Sequence, residues 1–274
     1  MYYILLLLLI SILPVYLIGL YVYKKDNQKE PIKLLKKLFI YGVLSCIPVA
    51  IIEVALEPFF GTEESRSLIM WFIYAISSVA LIEELFKWLI VYKVSYNHKE
   101  FDQVYDAIVY AVFVSLGFAF FENIFYVFDS GLAVGFIRAV TAIPGHASDA
   151  IIMGNYLGLA KLADINKNRK LRNKNLLLSI FMPTLLHALY DYFLFTENYI
   201  MIIMFFLLLI FIYVYSIKKV KRVAALRQNI YKNNSNNDLL CCSNCGTVGY
   251  GNFCVMCGTK LNNNYLNNDN NLTH

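Results

Sequence analysis

Seven apolar blocks dominate the chain: Tyr2 to Tyr23, Leu38 to Phe60, Ser67 to Tyr92, Val104 to Phe128, Leu132 to Ala160, Leu176 to Phe195 and Tyr199 to Ile217. Each is close to or above the roughly 20 residues that cross a hydrocarbon core as a helix. Lipid offers the backbone no hydrogen-bond partners, so blocks of this length are expected as helices. With 59% of residues hydrophobic and 16% charged, a soluble domain is excluded as the fold class. The expected architecture is an all-α polytopic membrane protein of about seven transmembrane helices. The first block has no basic leader and no small-residue cleavage site, and is read as a retained helix. Pro14, Pro48 and Pro183 are expected to kink their helices, and Pro144-Gly145 to kink or divide the fifth block.

The net charge of +5 does not point to nucleic acid, because the basic residues lie in the loops. Alternate loops, Lys24 to Lys37, Lys93 to Gln103 and Lys161 to Asn175, hold fourteen Lys and Arg, whereas the opposite side holds Arg66 alone. That asymmetry places the N-terminus outside and the C-terminus in the cytosol, in the cell membrane. After residue 217 the expected units are a basic and Asn-rich linker over 218–238, a zinc ribbon over 239–261 and a disordered tail over 262–274. Cys242-x-x-Cys245-Gly246 and Cys254-x-x-Cys257-Gly258 supply the ribbon's four thiolates, a closed tetrahedral set for a structural zinc that would also present a surface to a protein partner.

Ionisable residues inside the blocks are the functional signal, since each costs about 2.5 to 3.5 kcal/mol near the bilayer centre. They are Glu53 and Glu57; Glu83, Glu84 and Lys87; Asp106 and Glu122; Arg138, His146 and Asp149; His187 and Asp191. Glu83 and Lys87, His146 and Asp149, and His187 and Asp191 are three or four apart, so each pair shares a helix face. Facing a common interior, these stripes would form a polar cavity. Carboxylates that deprotonate water, beside imidazoles that bind metal or stabilise an oxyanion, suit hydrolysis. Glu57 is expected at the interface, Glu53 is left open, and Arg138 is expected to pair with a carboxylate or snorkel. Helix geometry puts Glu83 on the cytosolic side of the bilayer centre and Glu122 on the external side. Buried polar pairs that only hold helices together, and a proton-relay transporter, are the competing classes. No inverted repeat of the transporter kind is visible.

The motifs resemble those of the PrsW family of intramembrane proteases, relatives of the CAAX prenyl endopeptidases and bacteriocin-immunity proteases. Glu83-Glu84-Leu85-Phe86-Lys87 stands for EExxK, Phe118 to Glu122 for FxxxE and His187 to Asp191 for HxxxD. Asp106, Tyr110, Gly117, Asn123, Tyr126, Arg138, Pro144, His146, Gly154 and Gly158 supply further context, while Ala111 and Asp149 depart from the pattern. The resemblance implies cleavage of a peptide bond in or near a membrane segment of another protein. It implies catalytic roles for Glu83, Glu84, Lys87, Glu122, His146, His187 and Asp191. Two schemes stay open: zinc held by Glu122, His146 and His187, with Glu83 deprotonating water, or a metal-free site in which His187 and Asp191 polarise the carbonyl. A non-catalytic membrane scaffold of the same fold is the alternative function.

Overall fold

The computed structural model describes residues 2–196, 198–225, 240–242, 248–249 and 259. Eight helices follow in order: α1 (Tyr2–Lys25), α2 (Ile32–Leu56), α3 (Leu68–Tyr74), α4 (Leu81–Ser95), α5 (Val104–Val140), α6 (Ala142–Ile165), α7 (Arg169–Phe195) and α8 (Tyr199–Ala225). A two-residue strand pair, β1 (Leu240–Cys241) and β2 (Val248–Gly249), runs antiparallel near the C-terminus. Among the described residues, six helical stretches are long and apolar enough to cross a membrane, and one of them, Val104–Ile165, joins α5 and α6 over 62 residues. Of the cysteines expected in the ribbon, Cys242 is described and buried; Cys245, Cys254 and Cys257 lie outside the described residues.

Lipid-facing helices should be apolar outward, and they are. Leu17, Ile51, Val54, Ile69, Leu177 and Phe211 are all more than half exposed, an arrangement that suits hydrocarbon and not water. The buried centre is α5 with α6, around which α1, α2, α7 and α8 are arranged. Small residues allow the close crossings that van der Waals packing in lipid needs. A Cβ on Gly42 of α2 would lie 2.0 Å from the Val114 carbonyl oxygen of α5. One on Gly154 of α6 would lie 2.5 Å from the Ala107 carbonyl oxygen, also on α5.

Local chemistry sets several boundaries. Gln103 and Asp106 form a reciprocal capping box at the start of α5, and the Asn168 side chain accepts from Leu171 N at 3.0 Å to start α7. Pro14, Pro48 and Pro183 lie inside α1, α2 and α7. The long fifth block, however, is divided elsewhere than at Pro144. Thr141 divides it by separating α5 from α6, and Gly131, just ahead of the block, takes φ 85° and turns the chain within α5. Pro144 falls in the first turn of α6, where a missing N–H leaves no helical bond unmade. The third block also departs from a plain helix: Ala75–Ala80 forms a π-helical segment between α3 and α4, immediately before Glu83. At the other end of the domain, the basic residues Lys218, Lys219, Lys221 and Arg222 continue α8 and do not begin a linker.

A buried carboxylate and imidazole centre

The motif residues come from four helices. α4 contributes Glu83, Glu84 and Lys87; α5, Glu122 and Arg138; α6, His146 and Asp149; α7, His187 and Asp191. A widened turn re-aims the side chains that follow it, and the π segment does this directly before the two glutamates. Trp88 Nε1 donates to Ser179 Oγ at 2.8 Å, tying α4 to α7 one residue beyond Lys87.

Lys87 is the hub. Its ammonium donates to Glu83 Oε2 at 2.8 Å and Glu84 Oε1 at 2.8 Å, and lies 3.1 Å from His146 Nδ1. An ammonium has three donors and no acceptor, so these three contacts use its full capacity and make Nδ1 of His146 an acceptor. The same cation stands 4.2 Å from the centre of the Phe118 ring. On its other side, His146 Nε2 then donates to Glu122 Oε2 at 2.8 Å, and Glu122 is held by Arg138 Nη2 at 2.9 Å. Arg138 thus pairs with a carboxylate, one of its two expected fates. His146 also spans the difference in depth expected between Glu83 and Glu122.

The two adjacent glutamates have different surroundings. Glu84 is fully buried and accepts from both Lys87 and His187 Nδ1, the latter at 3.0 Å. Glu83 lines a cavity of about 380 Å³, together with Glu53, Glu122, His146, Asp149, His187 and Asp191, whereas Glu84 does not reach it. Glu83 Oε2 stands 3.9 Å from His146 Nδ1 and 4.0 Å from His187 Nε2, close enough to interact with both rings and too far for direct hydrogen bonds. His187 Nε2 is also 3.4 Å from Asp191 Oδ2.

Every catalytic residue expected from the sequence is therefore in one cluster. Asp106 and Tyr110 are not: they sit at the far end of α5, beside the loop that joins α1 and α2. Glu57 is half exposed and faces Arg66 at 3.6 Å. Glu53, left open by sequence position, lines the same cavity as Glu83 and also a second cavity of about 380 Å³, walled by Cys46, Phe118, Phe121 and Phe125. Tyr126 and Tyr190 are additional lining residues, and nothing in their sequence context marked Tyr190.

Glu83, Glu84, His146 and His187 each offer an atom within 4.8 Å of the others, a group that could hold a metal ion. Mixed imidazole and carboxylate donors fit zinc or a similar divalent ion. Glu84 Oε2 has no hydrogen-bond donor, which leaves one buried carboxylate oxygen available for such an ion. Glu122 lies outside that four-residue group and is engaged by Arg138 and His146.

The family profile described as PrsW family intramembrane metalloprotease matches residues 30–217. The chain is similar to Protease PrsW of Oceanobacillus iheyensis, at 40% identity over 73% of this chain and 88% of the relative. It is 36% identical to Protease PrsW of Bacillus subtilis over 75% of this chain and 90% of the relative. The corresponding values for Protease PrsW of Clostridioides difficile are 32%, 79% and 90%. No solved structure matches the chain.

Proposed function

Because the chain belongs to the PrsW family of intramembrane metalloproteases, it is a membrane-embedded peptidase acting on membrane proteins, and we propose that Glu83 is its general base. The observation that carries this role is the asymmetry of the two glutamates: Glu83 opens onto the cavity and Glu84 is sealed behind it. In this reading a water beside Glu83 attacks the scissile carbonyl carbon while Glu83 takes its proton. His187 Nε2, protonated and flanked by Asp191, donates to the developing oxyanion, and Glu84 holds the opposite ring nitrogen in place. The C–N bond then breaks, and Glu83 returns its proton to the leaving amine. Lys87 positions both glutamates, and the Arg138, Glu122 and His146 chain fixes the facing wall. In the alternative scheme, with His187 deprotonated at one ring nitrogen, a divalent metal held among Glu83, Glu84, His146 and His187 would take over polarisation of the scissile carbonyl as a Lewis acid.

The membrane arrangement extends the same reading. Counting α5 and α6 as separate crossings gives seven, and the fourteen-to-one loop asymmetry supports an outside N-terminus and a cytosolic C-terminus in the cell membrane. The paired CxxCG motifs support a zinc ribbon on the tail, where it would recruit a protein partner, and the antiparallel pairing of Leu240 with Gly249 brackets its first knuckle. The scaffold alternative is not favoured, since the relatives are named as proteases.

The test is proteomic comparison of membranes carrying wild-type protein with membranes carrying Glu83→Gln. Membrane proteins that accumulate uncleaved in the variant are expected; identical profiles would return the scaffold reading to the front.

A further inference from the structure

A second acidic cluster lies at the other end of α5. Asp26 and Glu30, in the loop between α1 and α2, meet Asp106 in the first turn of α5, and one oxygen from each lies within 4.8 Å of the others. All three are buried, with 3%, 4% and 0% of their surface exposed. Sixteen residues separate Asp106 from Glu122, about 24 Å along the helix at 1.5 Å per residue, so this cluster is remote from the catalytic cavity.

The hydrogen bonds around the cluster are incomplete in a particular way. Asp106 Oδ2 accepts from the backbone N–H groups of Asp102 and Gln103, at 2.8 and 2.6 Å, as helix capping requires. Its Oδ1 has no donor. Asp26 Oδ1 accepts from Gln28 N at 3.0 Å, while Oδ2 has none. Glu30 accepts from the Tyr110 hydroxyl. The loop's own cation does not complete the set, because Lys29 directs its ammonium at the carbonyls of Tyr23, Lys24 and Asp26. Burial, with the neighbouring acids, pushes the Glu30 carboxyl up to about 7 and raises that of Asp26.

Two buried carboxylate oxygens without donors, beside a third carboxylate, are costly unless something positive sits between them. We propose that Asp26, Glu30 and Asp106 form a binding site for a hard divalent cation, of the Mg²⁺, Mn²⁺ or Ca²⁺ class. The donor set is all oxygen, which suits these ions and disfavours the softer metals that imidazole and thiolate select. A cation here would clamp the α1–α2 loop to the start of α5. The Gln103 amide donating to Gln28 Oε1 and the Asn27 amide donating to the Ala224 carbonyl at 2.7 Å already hold that loop close. Since α5 carries Phe118 and Glu122 into the catalytic centre, the site would stabilise the frame of the enzyme without touching its chemistry.

Mn²⁺ serves as the probe, counted by electron paramagnetic resonance on the full chain in detergent. Protein carrying Glu83→Gln and His187→Ala, which disables the catalytic donor group, is expected to retain one bound Mn²⁺ that Mg²⁺ or Ca²⁺ displaces. Asp26→Asn with Glu30→Gln is expected to lose that ion, and Glu30→Gln alone to weaken it roughly tenfold or more. The single variant serves as the readout should the double variant fail to fold. Absence of a bound Mn²⁺ in the catalytic-site variant, or binding that survives Glu30→Gln at unchanged affinity, would overturn the assignment.

Discussion

Replacing Lys87 with Met should unfold the protein before it says anything about catalysis. The ammonium is 1% exposed, bonded at 2.8 Å to two carboxylates that are 4% and 0% exposed, and in contact with a neutral imidazole nitrogen. Methionine keeps the length and apolar stem of lysine but leaves Glu83 and Glu84 facing each other without a cation. Breaking a buried ion pair from one side costs about 3 to 5 kcal/mol. For a domain of this size that corresponds to a fall in the unfolding midpoint of roughly 6 to 20 °C. Trp88 sits one residue beyond Lys87 and bonds Ser179, so tryptophan fluorescence during heating in detergent reports on this region directly. Adding Glu84→Gln to Lys87→Met removes one orphaned charge and should recover part of the loss, a coupling of about 0.5 to 3 kcal/mol. A Lys87→Met protein that melts within 2 °C of wild type, a margin of about 1 kcal/mol or less, would refute the view that this ammonium holds the centre together.

Gly42→Ala should deplete folded protein, because its Cβ would meet a backbone carbonyl 2.0 Å away, which cannot rotate aside. Gly19→Ala, whose Cβ would meet Leu116 Cδ1 at 3.4 Å, is the matched control with little change, and equal yields of the two would contradict the close crossing of α2 and α5. Arg138→Met should slow cleavage by roughly tenfold or more, from the loss of one charge-assisted hydrogen bond worth about 1.5 to 3 kcal/mol to Glu122, with turnover of a purified substrate as the readout. A cysteine at Thr62 should react with an impermeant thiol reagent added outside intact cells, and labelling only after permeabilisation would invert the topology.

The helical membrane architecture was legible because hydrocarbon leaves so few solutions to backbone hydrogen bonding. Catalytic candidates were legible for the same reason. Glu83, His146 and His187 stand out only because charge and imidazole are expensive in lipid, and their spacing placed them on inward faces. Legibility ended where tertiary packing decided. Pro144 looked like the break in the fifth block, yet the block breaks at Thr141, since a proline in a first turn is compatible with helix. The π segment at Ala75–Ala80 has no composition of its own to betray it. Adjacent positions could not reveal that Glu83 faces the cavity and Glu84 is sealed, because that depends on where α7 places His187. That Arg138, sixteen residues after Glu122 and beyond the turn at Gly131, pairs with Glu122 was likewise set by packing.

The assignment of Glu83 as the base is tested most directly by measuring specific cleavage and melting temperature in parallel for Glu83→Gln and Glu84→Gln. Each substitution keeps the side chain's size and one carbonyl acceptor, so Lys87 retains a partner at either position. Glu83→Gln is expected to abolish cleavage while melting close to wild type, since the side chain it alters opens onto the cavity. Glu84→Gln should lower the melting temperature, because it weakens bonds to both Lys87 and His187 in a fully buried setting. Full cleavage per folded molecule in Glu83→Gln, with activity lost in Glu84→Gln at unchanged stability, would reverse the two roles and contradict the account.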